Sequence, residues 1–342
     1  MNRTMRTIGR IGLGLSLALA AVTAAAQTPA QIQAAVNAAY AKYQALDSGK
    51  NADYIPALAK VDPKLFGIAV VTADGKVYSA GNLTTQVSIQ SISKVFTMAL
   101  VMEQSGPDAI LKTIGADATG MRFNSIVSIE FSQKVLGGPE MNALVNPGAI
   151  TATSMVTGKD RAEIWGKILA TYSDFAGRQL SVNQEVFKSE SDNNQRNQAI
   201  AMLMYAYGHI KDNPLQACDI YTEQCSVNVN ARDLATMAAT LANGGKNPVT
   251  GKVVLASEHI APVLAVMATA GLYDDTGKWL YHTGLPAKSG VGGGIIAVSP
   301  GKFGIAAISP PLDAAGNSVR AQKAIRDISN ALGGNPYAVK PH

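Results

Sequence analysis

Strand-forming signals sit toward the two ends of this 342-residue chain, and helical patterning fills most of what lies between. Near one end, residues 66–72 and 76–79 flank the turn Ala73-Asp74-Gly75 and read as a β-hairpin. Near the other, residues 294–299 and 303–309 flank Pro300-Gly301-Lys302 and read as a second. Helical patterns cover 109–115, 150–156, 161–175, 189–207, 215–225, 232–243 and 257–270, and an amphipathic helix over 316–332 closes the chain. Residues 28–62 also read as helical, with a turn at Ser48-Gly49-Lys50-Asn51. A sheet drawn from both chain ends, with helices inserted between them, is an α+β architecture built on one antiparallel sheet with flanking helices. The expected division is one domain over 27–342, with a sheet subdomain at 27–90 and 285–342 and a helical subdomain at 91–284.

Two short motifs carry the chemistry. In Ser88-Ile89-Gln90-Ser91-Ile92-Ser93-Lys94, Ser91 and Lys94 precede an apolar run that reads as a buried helix starting near Ser91. Residues three apart share a helix face, so an amine stands one turn from a hydroxyl at a helix N-terminus. That is the minimum equipment for an activated serine nucleophile. Alone, the pair reads equally well as a helix N-cap followed by a solvated lysine. Downstream, Lys288-Ser289-Gly290 leads through Gly292-Gly293-Gly294 into a β-branched strand. Ser-x-x-Lys with a later Lys-[Ser/Thr]-Gly is the layout of serine acyl-transfer enzymes related to penicillin-binding proteins and class A β-lactamases. The glycine run feeds a strand, so the helix N-terminus of a phosphate loop is missing, and close approach of backbone and ligand is the better reading.

The N-terminus reads as a secretory leader. Arg3, Arg6 and Arg10 precede an apolar stretch over 11–22 and the small residues Thr23-Ala24-Ala25-Ala26. Cleavage after Ala26 implies export, most simply to a periplasm, and no membrane association afterwards. Those arginines account for much of the formal charge of +5. What remains is nearly balanced and has no basic cluster, so nucleic-acid binding has no footprint. Cys218 and Cys225 fall on one expected helix, too far apart for a disulfide, and are expected as buried thiols. The four histidines have no metal-ligand spacing.

Longer motifs make a family resemblance specific. The segments Gln90-Ser91-Ile92-Ser93-Lys94, Ser189-Glu190 with Arg196-Asn197, and Leu241-Ala242-Asn243-Gly244-Gly245 resemble those of the serine-dependent glutaminases. So do Gly284-Leu285-Pro286-Ala287-Lys288-Ser289-Gly290-Val291, Ala52-Asp53-Tyr54-Ile55-Pro56 and Ser309-Pro310-Pro311-Leu312-Asp313, in the same order from about residue 50 onward. The resemblance implies a β-lactamase-like fold and hydrolysis of the L-glutamine side-chain amide to L-glutamate and ammonia, without metal or organic cofactor. It assigns Ser91 as nucleophile, Lys94 as its partner, and Tyr221 and Tyr273 as active-site tyrosines. It places Asn146 on the substrate, Glu190 and Asn197 at its amino-acid end, Tyr54 at its border, and the Val291 N–H in the oxyanion hole. It also implies a homodimer or homotetramer.

The implied chemistry is consistent. An acyl-enzyme splits one hard step into two. Lys94 at an ordinary pKa of about 10.4 is protonated and useless as a base, so burial and a second cation, Lys288, are expected to lower it. The N–H groups of Ser91 and Val291 would hold the oxyanion, each worth about 3 kcal/mol. Judged singly, Glu190 and Asn197 are a polar helix face, Asn146 a turn residue, and the two tyrosines half-buried core aromatics; only their joint order reverses that. One departure stands beside the expected substrate ligand, where Asn146-Pro147-Gly148 replaces the family's Asn-Ala-Gly and removes a backbone donor. A penicillin-recognising serine hydrolase shares most of this equipment, including a literal Ser191-Asp192-Asn193. A non-catalytic amino-acid-binding protein on the same scaffold is the other alternative, though both Ser91 and Lys94 are present.

Overall fold

The computed structural model describes residues 27–138, 141–339 and 341; the expected leader, residues 1–26, lies outside them. Both expected hairpins form. The first is β1 (Gly67–Thr72) with β2 (Val77–Gly81). A short pair, β3 (Val87–Ser88) with β4 (Asn228–Val229), follows. The C-terminal part supplies β5 (Ala287–Ser289), β6 (Gly294–Ser299) and β7 (Phe303–Ile308). The main sheet runs β2-β1-β7-β6-β5, antiparallel throughout, so strands from the two chain ends meet at β1 and β7. Antiparallel neighbours need no crossover, so two distant hairpins can zip together by register alone.

Burial explains why β1, β6 and β7 are continuously apolar. Ala69, Val71, Ile296, Val298, Ala306 and Ile308 face the larger core, under the helix Ala231–Ala242. Ile68, Val70, Ile295, Ala297, Ile305 and Ala307 face the opposite core, against helices Pro29–Tyr43 and Val319–Ala331. Period-2 alternation therefore places apolar side chains on both covered faces. Each fully buried aliphatic side chain contributes about 1.5–3 kcal/mol relative to exposure. The Ala231–Ala242 helix comes close because its sheet-facing residues are small. A Cβ on Gly304 would lie 2.1 Å from Ala239 N.

Several helices differ from expectation. The 28–62 segment is helical only over Pro29–Tyr43 and Pro56–Ala59. Between them Lys50 N and O pair with Leu312 O and N at 3.0 and 2.9 Å, so the backbone is spent on a strand-like bridge. The 189–207 helix is two, Gln184–Ser191 and Gln195–Ala206. The break falls at Asp192-Asn193-Asn194, whose side chains compete for backbone and neighbouring partners. Asn193 Nδ2 donates to Ser189 O and Asn194 Nδ2 to Thr222 Oγ1. The 150–156 helix starts earlier, at Asn146, with Pro147 in its first turn. Pro147 is thus accommodated: a first-turn N–H has no intrahelical acceptor to lose. Two further helical segments, Ile126–Phe131 continuing as a π-helix over Ser132–Leu136, and Thr276–Thr283, have no counterpart in the sequence reading. Cys218 and Cys225 are buried free thiols, as expected.

Gly304→Ala forces backbone, not a flexible side chain, to move. Destabilisation of about 1–3 kcal/mol is expected, read as a lower urea midpoint; an unchanged midpoint contradicts this packing.

Candidate active site

Strand β3 delivers the chain to a 3₁₀ turn, Gln90–Ile92, which runs directly into the helix Ser93–Ser105. Ser91 lies in that turn rather than in the helix proper. Gln90 enters it with φ +51°, and Tyr273 has φ +55°; among the described residues they are the only non-glycine positions with positive φ. Such a conformation costs about 1–3 kcal/mol and persists only where surroundings enforce it. Around Tyr273 the enforcement is visible. Leu272 N donates to Thr276 Oγ1 at 2.9 Å, and that hydroxyl donates to Tyr273 O at 2.7 Å. Asn317 Nδ2 adds a bond to Leu272 O. Around Gln90 it is the turn between β5 and β6. A Cβ on Gly290 would approach Ile89 O to 2.8 Å, and one on Gly292 would approach Ser88 O to 2.5 Å. The glycine run thus allows one backbone to lie on another, whereas its sequence suggested close approach of backbone to a ligand.

A cavity of about 210 Å³ opens at this point. Seven of the nine expected site residues line it: Tyr54, Ser91, Asn146, Glu190, Asn197, Tyr221 and Val291. Tyr54 stands at the mouth, 58% exposed. Lys94 and Tyr273 do not line the cavity but are buried behind it. Sequence reasoning missed Gln90 and Phe123, which also line it. The Phe123 ring lies 4.8 Å from the Tyr273 ring, and Lys94 Nζ is 5.9 Å from it. Nothing in sequence marks a lone phenylalanine as a site residue.

Polar contacts join these groups into one network. Lys94 Nζ donates to Asn146 Oδ1 at 2.7 Å and to Leu144 O at 3.2 Å. Asn146 Oδ1 also accepts from the Tyr221 hydroxyl at 3.2 Å, while Asn146 Nδ2 donates to Asn197 Oδ1 at 2.9 Å. Leu144 O is held in place by Asn142, whose Oδ1 accepts from Leu144 N and Val145 N and whose Nδ2 donates to Asp117 O. Glu190 Oε1 accepts from Gln90 Nε2 at 2.5 Å. Lys288 Nζ donates to Ser289 O at 2.7 Å and Gly271 O at 2.9 Å, and lies 4.1 Å from the Tyr273 ring centroid.

Burial governs the electrostatics. It lowers Lys94 to a pKa of about 7, with no carboxylate opposing it. A neutral amine has two hydrogens and one lone pair; Leu144 O and Asn146 Oδ1 take both hydrogens. Lys288 is the expected second cation, and repulsion between two like charges disfavours protonation of either. Burial is the leading cause at Lys288 too, followed by repulsion from Lys94, and together they push Lys288 well down. Glu190 is raised to about 7 by burial, against the pull of the Gln90 amide. The Tyr273 phenol is pushed up to about 12 by burial, with Ser91 and Ser289 beside it drawing it down. Tyr221 is also raised well above the ordinary phenol value, again chiefly by burial. Both tyrosines therefore hold their protons at neutral pH and can act as donors. Among the described residues, no group of three or more His, Cys, Asp and Glu is placed to hold a metal ion.

The antiparallel sheet with its helices is of the serine β-lactamase-like architecture, and comparison with known proteins adds the family and its amidohydrolase activity. The glutaminase family model matches residues 49–337. The chain is 53% identical over 314 residues to the glutaminase of Colwellia psychrerythraea strain 34H, covering 91% of this chain and all of that one. It is 50% identical over 303 residues to the glutaminase of Mycobacterium ulcerans strain Agy99, covering 89% and 93%. The solved structure of a probable glutaminase, ybaS, superposes with TM-score 0.89 at 46% identity, over 92% of this chain and all of that chain. A Bacillus subtilis probable glutaminase gives 0.78 at 27% identity, over 88% and 95%. The chain belongs to the glutaminase family.

The burial of Lys94 has a thermodynamic signature. Between pH 7 and 10.5 the unfolded lysine binds a proton that the folded one does not, so stability rises with pH across that window. Lys94→Met removes this contribution. The slope of unfolding free energy against pH should fall by about 1.4 kcal/mol per pH unit in the variant, measured by urea unfolding; equal slopes contradict a neutral Lys94.

Proposed function

We propose that this chain hydrolyses the side-chain amide of L-glutamine through an acyl-enzyme on Ser91. The observation that carries this mechanism is the setting of Lys94: a fully buried amine that donates to Leu144 O and Asn146 Oδ1, with burial lowering its pKa to about 7 so that a neutral fraction is available near neutrality. Ser91 lies one turn earlier on the same helical run. Lys94 takes the Ser91 proton as Oγ bonds to the amide carbon. The negative charge that develops on the carbonyl oxygen meets two backbone donors, the N–H of Ser91 in the turn that precedes the helix Ser93–Ser105 and the N–H of Val291 in the β5–β6 turn. The C–N bond then breaks, and a proton passes to the departing nitrogen from Lys94 or through Tyr273, which adjoins Ser91. Water attacks the ester with Lys94 again as base, releasing L-glutamate and the free serine.

The other end of the substrate is a zwitterion. Glu190 is the carboxylate in the cavity suited to its ammonium, and bringing in that cation favours ionised Glu190 despite burial. Asn146, Asn197 and Tyr221 present amide and hydroxyl groups at the same wall. Tyr54 borders the opening. Support for glutamine as substrate comes from the relatives, glutaminases about 50% identical over most of the chain. No observation favours the penicillin-recognising alternative: Asp192 of Ser191-Asp192-Asn193 is exposed and pairs with Lys188.

The leader composition supports export to the periplasm, with residues 1–26 removed, and family resemblance supports a homodimer or homotetramer. Two measurements on material from the periplasmic fraction check these: its mass should begin at Gln27, and light scattering should give a multiple of the chain mass. An uncleaved N-terminus or a monomer refutes the corresponding part.

Ser91→Ala should reduce ammonia release from L-glutamine by at least about 10³-fold. Glu190→Gln should raise KM by about 10–100-fold with a smaller change in kcat, since it removes a charge-assisted contact present before and during reaction. Ammonia release that survives Ser91→Ala refutes the acyl-enzyme.

A further inference from the structure

Glu190 and Ser91 lie on different elements, and one side chain joins them. Gln90, 3% exposed, directly precedes Ser91, and its Nε2 donates to Glu190 Oε1 at 2.5 Å. Among the described residues, this is the one hydrogen bond the Glu190 carboxylate accepts. The second hydrogen of the same amide goes to Ser88 Oγ at 3.1 Å. Both amide donors are thus committed, and the side chain cannot turn without losing one.

The backbone beneath it is equally fixed. Gln90 has φ +51°, a conformation glutamine seldom adopts. The glycine-rich turn leaves just enough room for its side chain: a Cβ on Gly290 would sit 3.3 Å from Gln90 Cβ, and one on Gly292 3.4 Å from Gln90 Cγ. The strain therefore has a product, a rigid link from the serine-bearing turn to the carboxylate across the cavity. Free rotation at either end would let Glu190 follow substrates of different lengths.

We propose that Gln90 is a specificity-determining positioning residue, a tether that sets the distance between the Ser91 hydroxyl and the Glu190 carboxylate and thereby selects glutamine over the one-methylene-shorter asparagine. This rests on Ser91 and Glu190 having the roles given above. A shorter amide anchored at Glu190 leaves its carbonyl short of Ser91. Cutting the tether frees Glu190, so glutamine loses its pre-set fit and asparagine gains access to relaxed positions.

The test uses equilibrium binding, so that it does not depend on turnover. In the Ser91→Ala background, L-glutamine and L-asparagine are titrated calorimetrically into the protein with Gln90 intact, Gln90→Asn and Gln90→Gly. Asparagine at this position tolerates the left-handed backbone but is too short to reach; glycine removes strain and tether together. Both variants should weaken glutamine binding by about 10-fold or more while asparagine changes by less than about 3-fold. The pH at which glutamine binding is lost on acidification should also move up, because Glu190 loses a donor that favours its ionised form. Tyr54, Tyr221 and Cys225 are the other titratable groups facing Glu190, and all are unchanged in these variants. Equal losses for the two amino acids, no change in either, or no binding of glutamine with Gln90 intact overturns the proposal. Ammonia release by the unmodified protein is measured alongside. Its absence with glutamine selectivity still dependent on Gln90 refutes the hydrolytic function but leaves the tether standing.

Discussion

The amine of Lys94 is the point on which the rest of the site depends. An ammonium in that position would sit in an apolar wall with two carbonyl-type acceptors and no carboxylate, an expensive state by any measure of ion burial. The amine escapes the cost by losing its proton near neutrality, and the lone pair this leaves is what the proposed mechanism uses as its base. Asn142 shapes the loop that presents Leu144 O, and Asn146 begins a helix whose first turn tolerates Pro147.

Around this group the fold supplies rigidity where chemistry needs it. The sheet built from both chain ends places the β5–β6 turn against the Ser88–Gln90 backbone. Two strained residues, Gln90 and Tyr273, stand on either side of Ser91, each held by its own hydrogen bonds. Lys288, pushed well down chiefly by the same burial that lowers Lys94, lies against the Tyr273 ring. Tertiary packing elsewhere in the protein offsets these local costs, as is usual for functional sites.

Much of the architecture was legible because local and global signals agree in it. The two hairpins announce themselves through β-branched runs broken by Asp74-Gly75 and Pro300-Gly301, and both are observed where expected. The helix expected over 189–207 is broken because three consecutive side-chain-bonding residues outweigh the periodicity around them. Ser91 and Lys94 stood out by spacing, and family order identified Asn146, Glu190, Asn197 and the tyrosines, which are ordinary polar or aromatic residues in isolation. No sequence rule foretells a left-handed glutamine or tyrosine, since neither residue type favours it. Nor could spacing show that both lysines are fully buried, which is the leading cause lowering each.

The most direct test is a titration of Lys94 itself. Reductive ¹³C-methylation of the folded protein, with the Lys94 signal identified by its absence in Lys94→Arg, allows its ionisation to be followed by NMR across pH 5–11. A midpoint near 7 is expected, with the chemical shift moving toward that of a neutral amine above it. A midpoint near the ordinary lysine value of about 10.4 would mean a protonated Lys94 at neutral pH and would contradict its role as the base.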